Sequence, residues 1–220
     1  DPRPVFTPER VNDKSLDVYK AQLRELVERD KNHPSVIMYS LANEANTHEE
    51  HALDFFEGAF AHARQLTHLP LMIVEYVSAE VNRVAHLADV IGINRYHGWY
   101  TDFGDLSVID DQIKNSINSY VNKYQKPVVL TEFGADTIAG LHTLPAQAFS
   151  EEFQNEFIET YLNAIENLSG CVGTHLWNFA DFQTKQGLTR VNGNKKGVFT
   201  RNRQPKWIAH SLRKRWTLQK

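Results

Sequence analysis

The chain has 220 residues, of which 41% are apolar and 23% charged, with a formal net charge of −3 at pH 7. The apolar fraction supports a substantial core and excludes wholesale disorder, and interspersed acids and bases give no general footprint for nucleic acid. No apolar run reaches the roughly 18 residues of a membrane span, and the single cysteine, Cys171, leaves neither an internal disulfide nor a cysteine cluster for zinc. The first residues carry no signal-peptide pattern, which favours the cytoplasm, with any targeting segment lying outside this stretch of chain.

Residues 1–12 hold Pro2, Pro4 and Pro8 and read as loop. Ser15 is the expected cap of a helix over 15–31, with Leu16, Tyr19, Leu23, Leu26 and Val27 on its apolar side. After His33-Pro34 comes a run over 36–46, VIMYSLANEAN, expected as a strand buried on both faces and ending in Asn43-Glu44. Thr47 with Glu50 resembles a capping box for a helix over 47–66, where Leu53, Phe56, Phe60 and Ala63 recur at helical spacing. Strands follow at 71–77 and 90–96, with a shorter helix expected over 79–88 between them. The aromatic-rich loop HGWYTDFGD then leads to a helix over 110–124. PVVLTEFGAD, residues 127–136, repeats the earlier design, a buried strand that delivers one glutamate, Glu132, to its C-terminal end. Beyond it lie a helix from Ser150 to about 168, a last strand over 172–179, a polar glycine-containing loop and a helix over 206–215.

Strand and helix alternate, with strands near residues 36, 71, 90, 128 and 172, the pattern of a parallel α/β protein. No G-x-G-x-x-G turn or phosphate-binding loop is present. Polar residues collect after the strands: Asn43 and Glu44, Glu75, Asn94 and Tyr96, Glu132, Trp177 and Asn178. A (β/α)8 TIM barrel places its site on that rim, drawing on several strands. Five strands cannot close eight, so the expectation is the C-terminal portion of a barrel, about strands 4 to 8. Such a piece exposes two sheet edges and is not expected to fold well alone.

Two carboxylates on one rim suit glycoside hydrolysis, one as acid and base, the other as nucleophile or as activator of water. Spacing in the sequence does not choose between retention and inversion. Asn43 can bind a sugar hydroxyl, and Tyr96, Trp99, Tyr100 and Trp177 can line sugar faces. Glu75 reads as structural, Trp207 and Trp216 as helix packing, and the histidines show no metal-binding spacing. RVNGNKK, residues 190–196, is the densest basic stretch and suits a substrate carboxylate if it folds over the rim.

RDKNHPSVIMYSLANE, NRYHGWY, VLTEFGADT, LWNFADF and RVNGNKKGVFTRNRQPK, taken in order, resemble the β-glucuronidases of glycoside hydrolase family 2 over nearly the whole chain. The resemblance implies a retaining hydrolase that removes terminal β-D-glucuronic acid from conjugates or oligosaccharides without a metal or organic cofactor. It implies a jelly-roll and an immunoglobulin-like domain before the barrel, neither of them in this chain. It further implies Glu44 as acid/base, Glu132 as nucleophile and Asn43 at the 2-hydroxyl. Tyr96, Tyr100 and Trp177 would line the pocket, with Asn194 and Lys196 reading the glucuronate carboxylate and Arg190 nearby. A homo-oligomer, often a tetramer, and no nucleic-acid or membrane partner belong to the same expectation. Two departures are visible. NEAN stands where a proline often follows the glutamate, and His97 stands where a second aromatic is common. A β-galacturonidase, another β-glycosidase of the family, and a non-catalytic carbohydrate-binding relative are the alternatives.

Overall fold

The computed structural model describes residues 5–188 and 190–218. In chain order it contains α1 (Asp13–Asp30), β1 (Tyr39–Asn43), α2 (Ala52–Leu66), β2 (Leu71–Glu75), β3 (Val90–Asn94), α3 (Ile109–Tyr124), β4 (Val128–Glu132), α4 (Glu151–Ile165), β5 (Cys171–Thr174) and α5 (Trp207–Leu218). The strands lie in the sheet in the order of the sequence. The chain divides into two compact units, one reaching Asn94 and including Ser116–Val129, the other comprising Arg95–Asn115 and the chain from Leu130.

In the first unit β1 pairs parallel with β2, Tyr39 opposite Leu71, and β2 with β3, Ile73 opposite Ile91. The Ile91 N–H donates to the Pro127 carbonyl (3.0 Å), which sets β4 beside β3. Side chains alternate across the pleat. Leu71 and Ile73 pack with Leu23 and Val27 of α1 and Phe56, Phe60 and Ala63 of α2, whereas Met72, Val74, Val90 and Val129 share a second cluster. Every residue of β2 and β3 is buried. β1 is not buried on both faces, as its sequence suggested: Ser40 and Asn43 are exposed, because it is the first strand in the sheet order.

Three boundaries move for identifiable reasons. Asn12, not Ser15, caps α1: its Oδ1 accepts the Ser15 N–H and the Ser15 hydroxyl returns a bond from the Asn12 N–H. No side chain caps α2, which begins at Ala52, because the buried Thr47 hydroxyl donates to Glu75 instead (2.5 Å). Only a short 3-10 turn, Ala85–Leu87, forms within residues 79–88. There Asn82 Oδ1 takes the N–H groups of Val84 and Ala85, which a helix begun at residue 79 would give to the carbonyls of residues 80 and 81.

In the second unit the Leu130 and Phe133 carbonyls accept the N–H groups of His175 (2.8 Å) and Trp177 (3.0 Å), so the chain beyond β5 follows β4. At Asn178 it changes partner, donating to the Lys196 carbonyl (3.1 Å). The regular strand is therefore shorter than the 172–179 run, ending at Thr174. Ser150 caps α4 as expected, accepting from the Phe153 N–H. Trp207 and Trp216 are exposed at 44% and 56%, so helix packing does not account for them.

Lys206, fully buried just before α5, donates to Asp181 Oδ1 (2.8 Å), the Thr137 carbonyl (3.0 Å) and the Lys195 carbonyl (2.8 Å). Burial lowers its pKa, against the pull of Asp181. Among the described residues no helix is long and apolar enough to cross a membrane. Replacing Lys206 with Met leaves Asp181 buried without its main cation. Such a break costs roughly 3–5 kcal/mol, and denaturant unfolding of the Lys206→Met protein should show a loss of that size.

Candidate functional site

The first unit supplies Asn43 and Glu44. β1 ends at Asn43, and Glu44 turns away with φ +53°, in the left-handed region. A glutamate held there costs on the order of 1–3 kcal/mol, so its surroundings must fix it. The Glu44 N–H donates to the Val74 carbonyl (3.0 Å), and Asn94 Nδ2 donates both to Glu44 Oε1 (2.8 Å) and to Asn43 Oδ1 (3.1 Å). Asn94 ends β3, whose buried residues leave only its last side chain to reach across to β1's exit. The sequence puts Asn94 on the rim but points to no role for it. Its position at the end of a buried strand was the available signal. Glu75 is buried and takes the Thr47 hydroxyl, itself the acceptor of Asn82 Nδ2 (3.0 Å). This fits the structural reading of Glu75.

The second unit gathers the remaining predicted residues. Glu132 ends β4, half-buried, and the Tyr96 hydroxyl donates to its Oε2 (2.7 Å). Tyr100 stands edge-on to Tyr96, with ring centroids 4.9 Å apart. Arg190 donates to the Tyr100 hydroxyl (2.5 Å). Lys196 is fully buried, and its ammonium faces three rings, 4.8 Å from the Tyr100 centroid, 5.2 Å from Trp99 and 5.7 Å from Tyr96. Trp99 itself is buried among Phe103, Phe149 and Phe153, a packing residue as much as a wall. Trp177 is half-buried and meets Phe182 edge-on.

The carboxylate that organises this cluster is Asp136, four residues after Glu132, and it carried no role in the sequence reading. It is 1% exposed. Its Oδ2 pairs with the Lys196 ammonium and lies 3.5 Å from Arg190, while its Oδ1 accepts the Lys195 N–H (2.7 Å). Two cations thus share Asp136, and the Glu132 carboxylate also acts on Lys196, in a setting walled by aromatic rings. Burial pulls the Lys196 pKa down to about 8, although Asp136 acts in the opposite direction. Burial likewise raises Tyr100 above the usual phenol range, so its hydroxyl stays protonated. Asn194 is buried. Its Oδ1 accepts the Lys196 N–H (3.0 Å) and its backbone exchanges two bonds with Phe182.

The backbones here approach too closely for side chains. A Cβ on Gly134 would lie 2.1 Å from the Trp177 carbonyl oxygen, and one on Gly197 would lie 2.3 Å from the Asp181 nitrogen. Gln154 of α4, fully buried, sends its amide N–H groups toward the carbonyls of Ala135, Lys196 and Gly197 (3.2–3.4 Å), tying the Asp136 and Lys196 segments together. His97 is neutral near pH 7, its pKa pushed down to about 4 by burial and by Arg95. Among the described residues no group of three or more His, Cys, Asp or Glu side chains is placed to hold a metal ion.

The unit thus offers a carboxylate held by a tyrosine hydroxyl together with a buried cation pair, chemistry suited to an anionic ligand. Over residues 3–220 the sequence matches the family described as glycosyl hydrolases family 2, TIM barrel domain. It is 46% identical over 213 residues to a beta-glucuronidase of Paenibacillus borealis, covering 96% of this chain and 36% of that protein. To the beta-glucuronidase of Homo sapiens it is 42% identical over 212 residues, covering 95% of this chain and 33% of that one. The solved beta-D-glucuronidase of Dictyoglomus thermophilum matches with a TM-score of 0.94 at 50% identity, over 98% of this chain and 37% of its own. The beta-glucuronidase of an uncultured Clostridium matches with a TM-score of 0.94 at 45% identity, over 97% and 38%. The chain spans about a third of the length of the curated relatives it matches.

Proposed function

We propose that this chain, which belongs to glycosyl hydrolases family 2 and folds as part of that family's TIM barrel domain, carries the catalytic residues of a retaining β-glucuronidase. The supporting observation is the buried Asp136 shared by Lys196 and Arg190 in the same unit as Glu132 and Tyr96. A neutral sugar makes no ion pair with these cations. A glucuronate C6 carboxylate forms charge-assisted bonds with them that a hydroxymethyl group cannot match. The chain forms part of the barrel of a longer parent enzyme, whose other segments add further sugar contacts.

In this scheme the Glu132 carboxylate attacks the anomeric carbon while the bond to the leaving oxygen breaks and that oxygen takes the Glu44 proton. Glu44, now a carboxylate, removes a proton from water. The resulting hydroxide equivalent displaces Glu132 from the anomeric carbon, releasing glucuronic acid and restoring both groups. The Tyr96 hydroxyl holds one Glu132 oxygen in place. Asn94 orients Glu44 and Asn43 together, Asn43 binding the 2-hydroxyl. Trp177 and Tyr100 wall the sugar, and Asn194 and Lys196 read its carboxylate. No step needs a metal or organic cofactor. The substrates are glucuronide conjugates or oligosaccharide ends, and the parent enzyme is a homo-oligomer.

Hydrolysis of an aryl β-D-glucuronide by the parent enzyme, beside the matching galactoside and galacturonide, tests this. Glucuronide turnover that disappears in Glu132→Gln is the expected result. Turnover of the neutral sugar alone would overturn the carboxylate reading, and preferred turnover of the galacturonide would reassign the uronide. The same assay against pH tests the cation. Lys196 holds its proton below about pH 8 and loses it above. The ratio of kcat/KM for glucuronide to that for a neutral glycoside should therefore fall as pH rises through that value.

A further inference from the structure

The turn that carries Glu44 has a second left-handed residue, Asn46, at φ +36°. Asparagine tolerates this conformation better than most residues, but tolerance does not select it. The side chain of Asn46 is held on both sides. Its Oδ1 accepts from the Tyr76 hydroxyl (2.6 Å), and its Nδ2 donates to Glu49 Oε1 (2.9 Å). A carboxylate only accepts and the phenol is left to donate, so the two partners fix which way the amide faces. Glu49 is anchored in turn. Its other oxygen accepts the Phe6 N–H (2.6 Å), and its own N–H donates to the Asn46 carbonyl (3.0 Å). Burial would push the Glu49 pKa up, but the Phe6 and Val5 N–H groups and the Asn46 amide outweigh it and hold it low, so both oxygens remain acceptors.

The clamp therefore joins three stretches of one unit, the exit of β1, the residue following β2 and the segment around Phe6. Tyr76 lies close enough to Glu44 for the Glu44 charge to raise the phenol's pKa, second to burial. Glu44 is bonded through Val74 and Asn94 at its own position. Only Ala45 separates it from the clamped Asn46.

We propose that Asn46, gripped between the Tyr76 hydroxyl and the Glu49 carboxylate, is a positioning residue that fixes the left-handed turn and so aims the Glu44 carboxyl at the leaving-group oxygen. This rests on the reading of Glu44 as the acid/base. General-acid help matters in proportion to how badly the leaving group needs a proton. A loosened turn therefore harms substrates with poor leaving groups and spares activated ones. Loss of folded enzyme lowers both alike.

The experiment compares kcat/KM for phenyl and for 2,4-dinitrophenyl β-D-glucuronide in the parent enzyme and in Asn46→Ala, Tyr76→Phe and Glu44→Gln. Asn46→Ala and Tyr76→Phe should each lower the phenyl value roughly tenfold or more and leave the dinitrophenyl value within about twofold. Equal losses on both substrates, with the contrast present in Glu44→Gln, would overturn the positioning role while the acid/base reading stands. No contrast in Glu44→Gln would instead remove the acid/base reading and the proposal with it. Tyr76→Phe keeps the ring and deletes one bond, so it decides the matter if Asn46→Ala does not fold.

Discussion

The second unit depends on a carboxylate taken out of water. Asp136 is 1% exposed and Lys196 is fully buried, and neither ion is tolerable there without the other. The pair links the chain just past β4 to a loop sixty positions later, and the Lys195 N–H and Arg190 join the same carboxylate. Glu132 lies four residues before Asp136 on the same backbone, so whatever fixes Asp136 also fixes the end of β4. The Gln154 amide and the side-chain-free approach at Gly134 hold the same segments from another direction. The Lys196 cation is thus built into the packing.

That arrangement has an electrostatic consequence. A lysine with one carboxylate partner is neutral as a pair and would read an anion weakly. Arg190 brings a second cation to Asp136, and the Lys196 ammonium sits buried among Tyr96, Trp99 and Tyr100, where water screens it little. In the first unit the corresponding constraint is conformational. Glu44 occupies a left-handed turn that its side chain does not favour, and hydrogen bonds from Asn94 and to Val74 hold it there.

What the sequence shows and what it hides follow from the range of the interactions. The runs ending in Glu44 and Glu132 mark two strands and their rim because burial and alternation are local patterns. The 47–50 motif misleads because Thr47 finds a partner at Glu75, on another strand, which no local spacing announces. The helix expected over 79–88 fails through one side chain, Asn82, that competes for backbone N–H groups. Asn194 and Lys196 stand out by their basic setting and by resemblance. Asp136 looks like an ordinary acid after a strand until its cation, far away in the chain, is brought to it. Asn94 is hidden in the same way, since its two partners lie fifty residues earlier.

The claim that this cluster reads a carboxylate is tested most directly by Lys196→Met in the parent enzyme. The quantity to measure is the ratio of kcat/KM for an aryl β-D-glucuronide to that for the matching β-D-glucoside, in which a hydroxymethyl group replaces the carboxylate. The ratio should fall by roughly a hundredfold or more, as expected when a charge-assisted contact is lost in a desolvated site. A ratio that does not change, in a variant that folds, would contradict the account and leave Lys196 as a structural ion.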